Sequence, residues 1–240
     1  MPVVTGRADH LPPLKRVGHK GADHVSPGNT LASFETALEH GVDMIEFDVL
    51  RLRDGRLVLA HDYHDGERPD VVTLEEGLDH FAGEAYADVE LDVDLKLPGY
   101  ERVVLEGLAE RGLIERSLIS TMYTESLDVI GEIEPRQRRG WSVPRVSSDP
   151  TQSSWRKPFA LAAAEVIKRR MPGQAARMIS AGRCEALMSH WRLTSPALVR
   201  AVHDAGGQLY VWTVDDVDHI ARLSALGVDG VISNDPRLFT

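Results

Sequence analysis

The feature that most constrains this 240-residue chain is a regular alternation of short apolar segments with helical patterns. Helical crossovers usually join parallel strands, so this alternation predicts a parallel sheet covered by helices. Nine segments have strand character: 15–20, 44–50, 57–61, 89–96, 117–121, 138–143, 186–190, 208–213 and 229–233. Helical patterns lie between most of them, at 30–40, 73–82, 100–111, 124–133, 195–205 and 216–226.

One pair of strand segments breaks the parallel pattern. Segments 44–50 and 57–61 are separated only by residues 51–56, which include Asp54-Gly55. A parallel crossover needs about a dozen residues or more, whereas Asp-Gly between apolar segments is typical of a hairpin. We therefore expect an antiparallel hairpin after strand 2 and eight parallel strands, which is a TIM (β/α)8 barrel. An open doubly wound sheet is the alternative, and the sequence has no glycine-rich dinucleotide fingerprint to favour it.

The domain organisation follows from the same pattern. Residues 1–14 are expected to form an N-terminal arm, and residues 15–240 a single barrel domain. The segment 144–185 is predicted to be an enlarged crossover within that domain. It begins as a loop and continues as two helices, which we expect to be broken at Met171-Pro172.

Composition excludes several classes of partner and site. With 27 basic and 37 acidic residues the net charge is −10, which disfavours a nucleic acid partner. No segment approaches the ~20 apolar residues of a membrane span, and the N-terminus does not resemble a secretory signal. The single cysteine, Cys184, excludes an internal disulfide and a cysteine-rich zinc site. We expect a cytoplasmic protein with a small-molecule partner, and the sequence leaves its oligomeric state open.

Polar residues at the ends of the early strands are the candidates for chemistry, because TIM-barrel active sites lie at the carboxyl ends of the strands. The first strand ends in His19-Lys20, and the second carries Glu46 and Asp48 on one face. Two carboxylates side by side repel each other unless a cation lies between them. Solvated carboxylates on an exposed strand are the alternative, which the covered outer face of a parallel barrel disfavours.

Further candidates follow at later strand ends. The hairpin returns to His61-Asp62, where the histidine is either a second acid or base or an ordinary surface residue. The next parallel strand ends in Asp94 and Lys96, a third carboxylate and a second lysine. Trp212 lies near another strand end, either to stack on a small polar substrate or as a packed aromatic residue.

Two histidines, three carboxylates and two lysines suit metal-assisted attack on a phosphodiester. A divalent cation together with Lys20 and Lys96 would neutralise charge on the phosphoryl oxygens. One histidine would accept a proton from the nucleophile, and the other would protonate the leaving oxygen. The nucleophile is either water or a hydroxyl of the substrate itself.

Several short motifs follow one another in a fixed order: His19-Lys20-Gly21, Pro27-Gly28-Asn29-Thr30, Glu46-Phe47-Asp48, His61-Asp62, Asp94-Leu95-Lys96, Trp212-Thr213-Val214 and Gly227-Val228-Asp229-Gly230-Val231. In this order and spacing, over residues 15 to 238, the chain closely resembles the glycerophosphodiester phosphodiesterase family, whose members are TIM barrels. The resemblance implies hydrolysis of glycerophosphodiesters to glycerol 3-phosphate and an alcohol.

The resemblance also implies roles for individual residues. His19 and His61 match the two catalytic histidines of the family. Glu46, Asp48 and Asp94 match the ligands of its divalent cation, usually Mg²⁺ or Ca²⁺. We take Lys20, Lys96 and Trp212 as the substrate-binding residues.

Three positions depart from the family pattern. Lys20 replaces an arginine, Gly28 replaces a glutamate, and Asp94 replaces a glutamate. A lysine keeps the positive charge but loses the two-pronged guanidinium geometry. These departures bear on substrate choice, so two alternatives stay open: a lysophospholipase D-like phosphodiesterase, and a catalytically weak barrel that binds phosphate esters.

Overall fold

The computed structural model describes residues 13–144 and 157–239. Nine strands form one sheet: β1 (Lys15–Gly18), β2 (Met44–Arg51), β3 (Leu57–Leu59), β4 (Glu90–Leu95), β5 (Ser117–Thr121), β6 (Arg138–Val143), β7 (Ala186–His190), β8 (Gln208–Trp212) and β9 (Gly230–Ser233). All except β3 run parallel, and β1 pairs with both β2 and β9. The parallel sheet is therefore closed, which confirms the TIM barrel and excludes the open sheet.

Helices cover the outside of this barrel. They are α1 (Leu31–Glu39), α2 (Tyr63–Gly66), α3 (Leu74–Phe81), α4 (Glu101–Glu110), α5 (Thr124–Ile133), α6 (Lys157–Ser180), α7 (Pro196–Asp204) and α8 (Val217–Leu226). Side-chain caps define several of their starts, for example at Thr73, where Glu76 completes a capping box. The six helical patterns of the sequence are confirmed to within two residues, whereas the short helix α2 was not predicted. Among the described residues, no helix combines the length and apolar character that crossing a membrane requires.

The predicted hairpin is confirmed. Strand β3 pairs antiparallel with β2, in the register Val49↔Leu59 and Arg51↔Leu57. This pairing involves only the last residues of β2, beyond the part that pairs with β1. The chain after β3 consequently returns along the end of β2 and carries His61 back toward the carboxyl rim of the barrel.

The predicted break at Met171-Pro172 is wrong, because Pro172 lies inside the continuous helix α6. A proline removes one intrahelical hydrogen bond and bends a helix, but packing can hold the helix together across it. Met171, Ala175 and Ile179 are buried at four-residue spacing and pack into the same apolar cluster. Most of the predicted loop at the start of the 144–185 crossover, and most of the predicted 1–14 arm, lie outside the described residues.

The core has an outer layer between barrel and helices and an inner layer inside the barrel. In the outer layer Phe34, Phe47 and Phe81 are fully buried and pack ring against ring, with centroids 4.7 to 5.9 Å apart. Phe47 lies between Glu46 and Asp48, so its packing fixes the strand that carries them. The inner layer consists of apolar side chains from alternating strand positions: Val17, Met44, Leu118, Ala186, Met188, Tyr210 and Ile232.

The amino-terminal end of the barrel interior contains an ion network. The carboxylate of Glu90 on β4 accepts hydrogen bonds from Lys15 on β1 and from Arg138 on β6. Burial would raise the pKa of Glu90, but the bonds from these two cations reverse the effect and lower it. The network thus joins strands that are not neighbours in the sheet.

Replacing Glu90 tests the contribution of this network to stability. We expect Glu90→Gln to lower the free energy of unfolding at pH 7 by about 2 kcal/mol, because two partly buried cations lose their anion. A lowered folded pKa stabilises the protein above the unfolded pKa of about 4.3, so the difference should narrow as pH falls below about 4. Urea unfolding at several pH values measures it, with the exposed helical residue Glu106→Gln as control. Equal effects of the two substitutions at pH 7 would contradict this role.

Candidate active site

The turn after β1 has an unusual backbone that positions the first predicted site residues. Lys20 and Asn29 have positive φ angles, 49° and 58°, in the left-handed region that few non-glycine residues adopt. The Lys20 carbonyl accepts hydrogen bonds from Asn29 N (3.1 Å) and from Ser33 Oγ (2.7 Å). The backbone amide of Lys20 donates a hydrogen bond to Glu46 Oε2 at 2.8 Å. This turn also explains why β1 ends at Gly18 rather than at residue 20.

Three carboxylates form a compact cluster at the carboxyl ends of β2 and β4. Glu46, Asp48 and Asp94 each place one oxygen within 4.8 Å of the others. Asp48 is fully buried, and Asn29 holds it from two sides. The Asn29 Nδ2 donates to Asp48 Oδ2 at 2.8 Å, and the Asp48 amide donates to Asn29 Oδ1 at 3.0 Å. The left-handed turn therefore serves to orient this carboxylate.

Lys96 supplies a positive charge within the cluster. Its ammonium group forms ion pairs with both Asp48 and Asp94. Burial would raise the pKa of Asp48, but Lys96 and then His19 outweigh it and keep this carboxyl ionised. Burial and the neighbouring carboxylates instead raise the pKa of Glu46 well above its usual range. The negative charge of the cluster exceeds the charge of Lys96, and either a proton on Glu46 or a further cation would offset the excess.

The donor set fits a hard divalent cation. Asp48 Oδ1 is buried and accepts no hydrogen bond from the described residues, although the Lys96 ammonium forms an ion pair with it. Three carboxylate oxygens without nitrogen or sulfur donors match the ligand preference of Mg²⁺ or Ca²⁺. Glu46, Asp48 and Asp94 are accordingly the residues that would hold such an ion.

The imidazole of His19 is fixed by a chain of hydrogen bonds. Asn234 donates through Nδ2 to Asp215 Oδ2 (2.7 Å) and through its backbone amide to Asp215 Oδ1 (2.8 Å). The Asn234 Oδ1 then faces His19 Nδ1, which must be the protonated nitrogen of that pair. His19 Nε2 is left without a proton in the neutral ring, 3.8 Å from Glu46 Oε2. Burial is the largest influence on the pKa of His19 and lowers it, which favours the neutral form.

His61 occupies a different environment. Its side chain is 53% exposed, and its Nδ1 lies 3.7 Å from Asp62 Oδ2. Asp62 caps the unpredicted helix α2 by accepting from Asp65 N at 3.1 Å. This histidine therefore reaches the site from its solvent side, whereas His19 reaches it from within the barrel.

A cavity of about 210 Å³ brings the predicted residues together. Of the eight, all except the buried Asp48 line it: His19, Lys20, Glu46, His61, Asp94, Lys96 and Trp212. Trp212 is also a packed residue, since its Nε1 donates to Met188 O at 3.0 Å and its ring meets the edge of His190. The two interpretations of this tryptophan are therefore compatible.

The cavity wall is divided along the chain. Its titratable residues all come from the first four strands and the turns that follow them. The second half of the barrel contributes only neutral side chains: Ser120, Met122, Ser142, Met188, Trp212, Thr213 and Ile232. The titratable groups of the described wall thus lie in one half of the barrel, and the other half is neutral.

Sequence reasoning gave too little weight to four residues. Asn29 stands in a motif of the sequence without a predicted role, and Asn234 and Asp215 are not among the predicted site residues. Asp92 lines the cavity, its Oδ1 has no hydrogen bond from the described residues, and burial raises its pKa to about 8. Strict alternation of charges along β4 places Asp92 deeper in the barrel on the face that carries Asp94, but it does not indicate a role for this residue.

Known proteins resemble this chain over most of its length. A sequence model of the glycerophosphoryl diester phosphodiesterase family matches residues 19–79 and 65–238. A glycerophosphodiester phosphodiesterase of Caldanaerobacter subterraneus is 26% identical and aligns over 92% of this chain and 93% of its own length.

Solved structures share the fold. One is a putative glycerophosphodiester phosphodiesterase from Galdieria sulphuraria, with a TM-score of 0.75 and 18% identity, covering 95% of this chain and 97% of that one. Another is a phosphodiesterase from Oleispira antarctica in complex with the product sn-glycerol-3-phosphate, with a TM-score of 0.69 and 21% identity, covering 95% and 94%. Because the family match extends over nearly the whole described chain, this protein belongs to the glycerophosphoryl diester phosphodiesterase family.

Proposed function

We propose that this protein hydrolyses glycerophosphodiesters to sn-glycerol 3-phosphate and an alcohol, with one bound Mg²⁺ or Ca²⁺. The observation that carries the proposal is the carboxylate cluster of Glu46, Asp48 and Asp94, two of which line a cavity together with His19 and His61. Family membership and the product-bound structure of the Oleispira relative support the same substrate class.

The carboxylate cluster and the two lysines would handle the phosphate. A cation held by Glu46, Asp48 and Asp94 would, when bound, offset negative charge on a phosphoryl oxygen. Lys20 lines the cavity and adds a second positive charge from the turn after β1. Lys96 pairs with Asp48 and Asp94, so we assign it first to holding the cluster together and second to the substrate.

The two histidines would divide the proton transfers. His19 Nε2 is the unprotonated nitrogen of a ring fixed through Asn234, so it suits acceptance of a proton from the attacking hydroxyl. His61 stands at the solvent side, where the alcohol departs, and would give a proton to the leaving oxygen. The proton gained by one histidine and lost by the other balances over the reaction, and solvent restores both.

A substrate panel tests the proposal. With Mg²⁺ or Ca²⁺ added, purified protein should release sn-glycerol 3-phosphate from glycerophosphocholine or glycerophosphoethanolamine, measured by a coupled dehydrogenase assay. Excess chelator should abolish the release. Detection of a cyclic phosphate in a quenched reaction would identify a substrate hydroxyl rather than water as the nucleophile.

The same panel decides between the alternatives. Faster cleavage of a lysophospholipid than of glycerophosphocholine would establish the lysophospholipase D-like activity. Binding of the glycerophosphodiester without cleavage over hours would establish a phosphate-ester-binding barrel. The cytoplasmic location and the single domain of residues 15–240 stay predictions from the sequence.

A further inference from the structure

Two of the residues that depart from the family pattern, Lys20 and Gly28, both contact Asp23, which is not part of any of the motifs. The side chain of Asp23 lies between them in the turn after β1. Its Oδ1 accepts a hydrogen bond from Gly28 N at 2.9 Å, and its Oδ2 lies 3.5 Å from Lys20 Nζ. Asp23 therefore connects the backbone of one departing residue with the ammonium group of the other.

The space around Gly28 shows that this connection depends on the missing side chain. A Cβ atom at position 28 would lie 2.4 Å from Asp23 Oδ1 and 2.9 Å from Lys20 Cβ. Both distances are shorter than van der Waals contact allows. The backbone at Gly28 is outside the left-handed region, so the glycine is required by its neighbours rather than by its own conformation.

We infer that Asp23 is a positioning residue, which holds the Lys20 ammonium group at the cavity for a phosphoryl oxygen of the substrate. Because Gly28 has no side chain, the Asp23 carboxylate has room to lie beside Lys20. The inference rests on the proposed function, because the ligand of Lys20 is taken to be a phosphate ester.

The chemistry of lysine explains why such a residue is useful. Lysine is a point charge on a long flexible stem, whereas the guanidinium group of arginine is rigid and forms several directed bonds. The Lys20 backbone is already fixed, but its stem retains rotational freedom that phosphate binding must remove. A neighbouring anion that is itself tied to the backbone removes part of that freedom beforehand.

The geometry also indicates that Asp23 does not compete with the substrate. The Lys20 and Asp23 side chains are 19% and 31% exposed, and their charged atoms lie 3.5 Å apart. An ion pair with this separation and partial exposure is a weak interaction. A phosphoryl oxygen can therefore add to the ammonium group without first displacing a strong bond.

Asp23→Asn separates this role from general electrostatics. Asparagine is close in shape and keeps an oxygen for the Gly28 amide, so it removes the charge and preserves the turn. Removal of a negative charge near an anion site strengthens anion binding if only overall charge matters. If Asp23 positions Lys20, the substitution instead weakens anion binding.

The experiment is a double-mutant cycle on binding. Calorimetry with Mg²⁺-saturated protein measures the affinity for sn-glycerol 3-phosphate in the wild type, Lys20→Met, Asp23→Asn and the double variant. We expect Lys20→Met to weaken binding at least about 10-fold. Asp23→Asn should weaken it about 3- to 5-fold, and should add nothing in the Lys20→Met background.

Two further variants complete the design. Asp79→Asn removes a carboxylate that pairs with Arg111 on the outer helices, and should leave affinity unchanged. Gly28→Ala should weaken binding at least as much as Asp23→Asn, with both proteins melting cooperatively. Unchanged or tighter binding by Asp23→Asn would overturn the inference. It would also be overturned if the loss of affinity in the double variant equalled the product of the losses in the two single variants. If the wild type hydrolyses diesters and Asp23→Asn binds sn-glycerol 3-phosphate normally, only this inference is wrong. If the wild type binds no sn-glycerol 3-phosphate, the proposed function is wrong as well.

Discussion

Asp48→Asn is expected to lose metal binding and phosphodiesterase activity together. Asp48 is the fully buried member of the carboxylate cluster, and the asparagine amide offers one neutral oxygen in place of a charged pair. Metal assistance contributes several kcal/mol in such reactions, so we expect activity to fall by ~10³-fold or more. Affinity for Mg²⁺ should fall by more than about 100-fold, beyond the usual cost of losing an outer contact to a metal ligand.

Thermal melting provides a readout that does not depend on turnover. At 100 times its dissociation constant, a metal should stabilise the wild type by ~2.7 kcal/mol and raise the melting temperature by ~5–10 °C. The Asp48→Asn protein should show no such rise. Asp92→Asn is the matched comparison, because it removes a carboxylate from the same cavity but outside the three-residue cluster, and should keep the metal-dependent shift. Equal melting shifts in wild type and Asp48→Asn would contradict the assignment of the metal ligands.

His19→Ala and His61→Ala are each expected to reduce kcat by about 10²–10⁴-fold, the usual contribution of general acid–base catalysis. The two variants should respond differently to a better leaving group. A p-nitrophenyl ester leaves without protonation, so His61→Ala should regain most of its activity on glycerophospho-p-nitrophenol. His19→Ala should stay impaired on both substrates, because its proton transfer involves the nucleophile.

This comparison also tests the direction of the proton transfers. Recovery of His19→Ala instead of His61→Ala would reverse the two roles. Recovery of neither would show that leaving-group protonation is not the contribution of either histidine. Exposed His64 lies three residues beyond His61 on α2, and His64→Ala is the control, which should retain wild-type rates on both esters.

The sequence was sufficient for the fold because its strongest signals are local. Alternating strands and helices, Asp54-Gly55 in the hairpin and the cap at Thr73 each reflect residues close together in the chain. The proline in α6 shows the limit of such signals. Whether Pro172 ends a helix or bends it depends on buried contacts made by residues on the same face, which are tertiary.

The same limit applies to the site. Residues in short motifs were found, and the cavity gathers seven of the eight. Asp215 and Asn234 hold His19 from the far end of the chain, and that relation exists only once β9 pairs with β1. Asp23 was missed for another reason. Its role depends on the space that Gly28 leaves free for its carboxylate, and the sequence does not show which side chain lies beside a glycine.

The division of the cavity wall into a titratable and a neutral half has a consequence for engineering the protein. The candidate metal-ligating and proton-transfer side chains come from the amino-terminal half of the chain, and Ser120, Asp215 and Asn234 support them from the later strands and loops. Met122, Met188 and Trp212 are neutral positions of the wall that belong to neither of these sets. A library restricted to these three positions should yield altered substrate preference while conserving the catalysed reaction, whereas a library at the titratable positions should mostly yield inactive proteins.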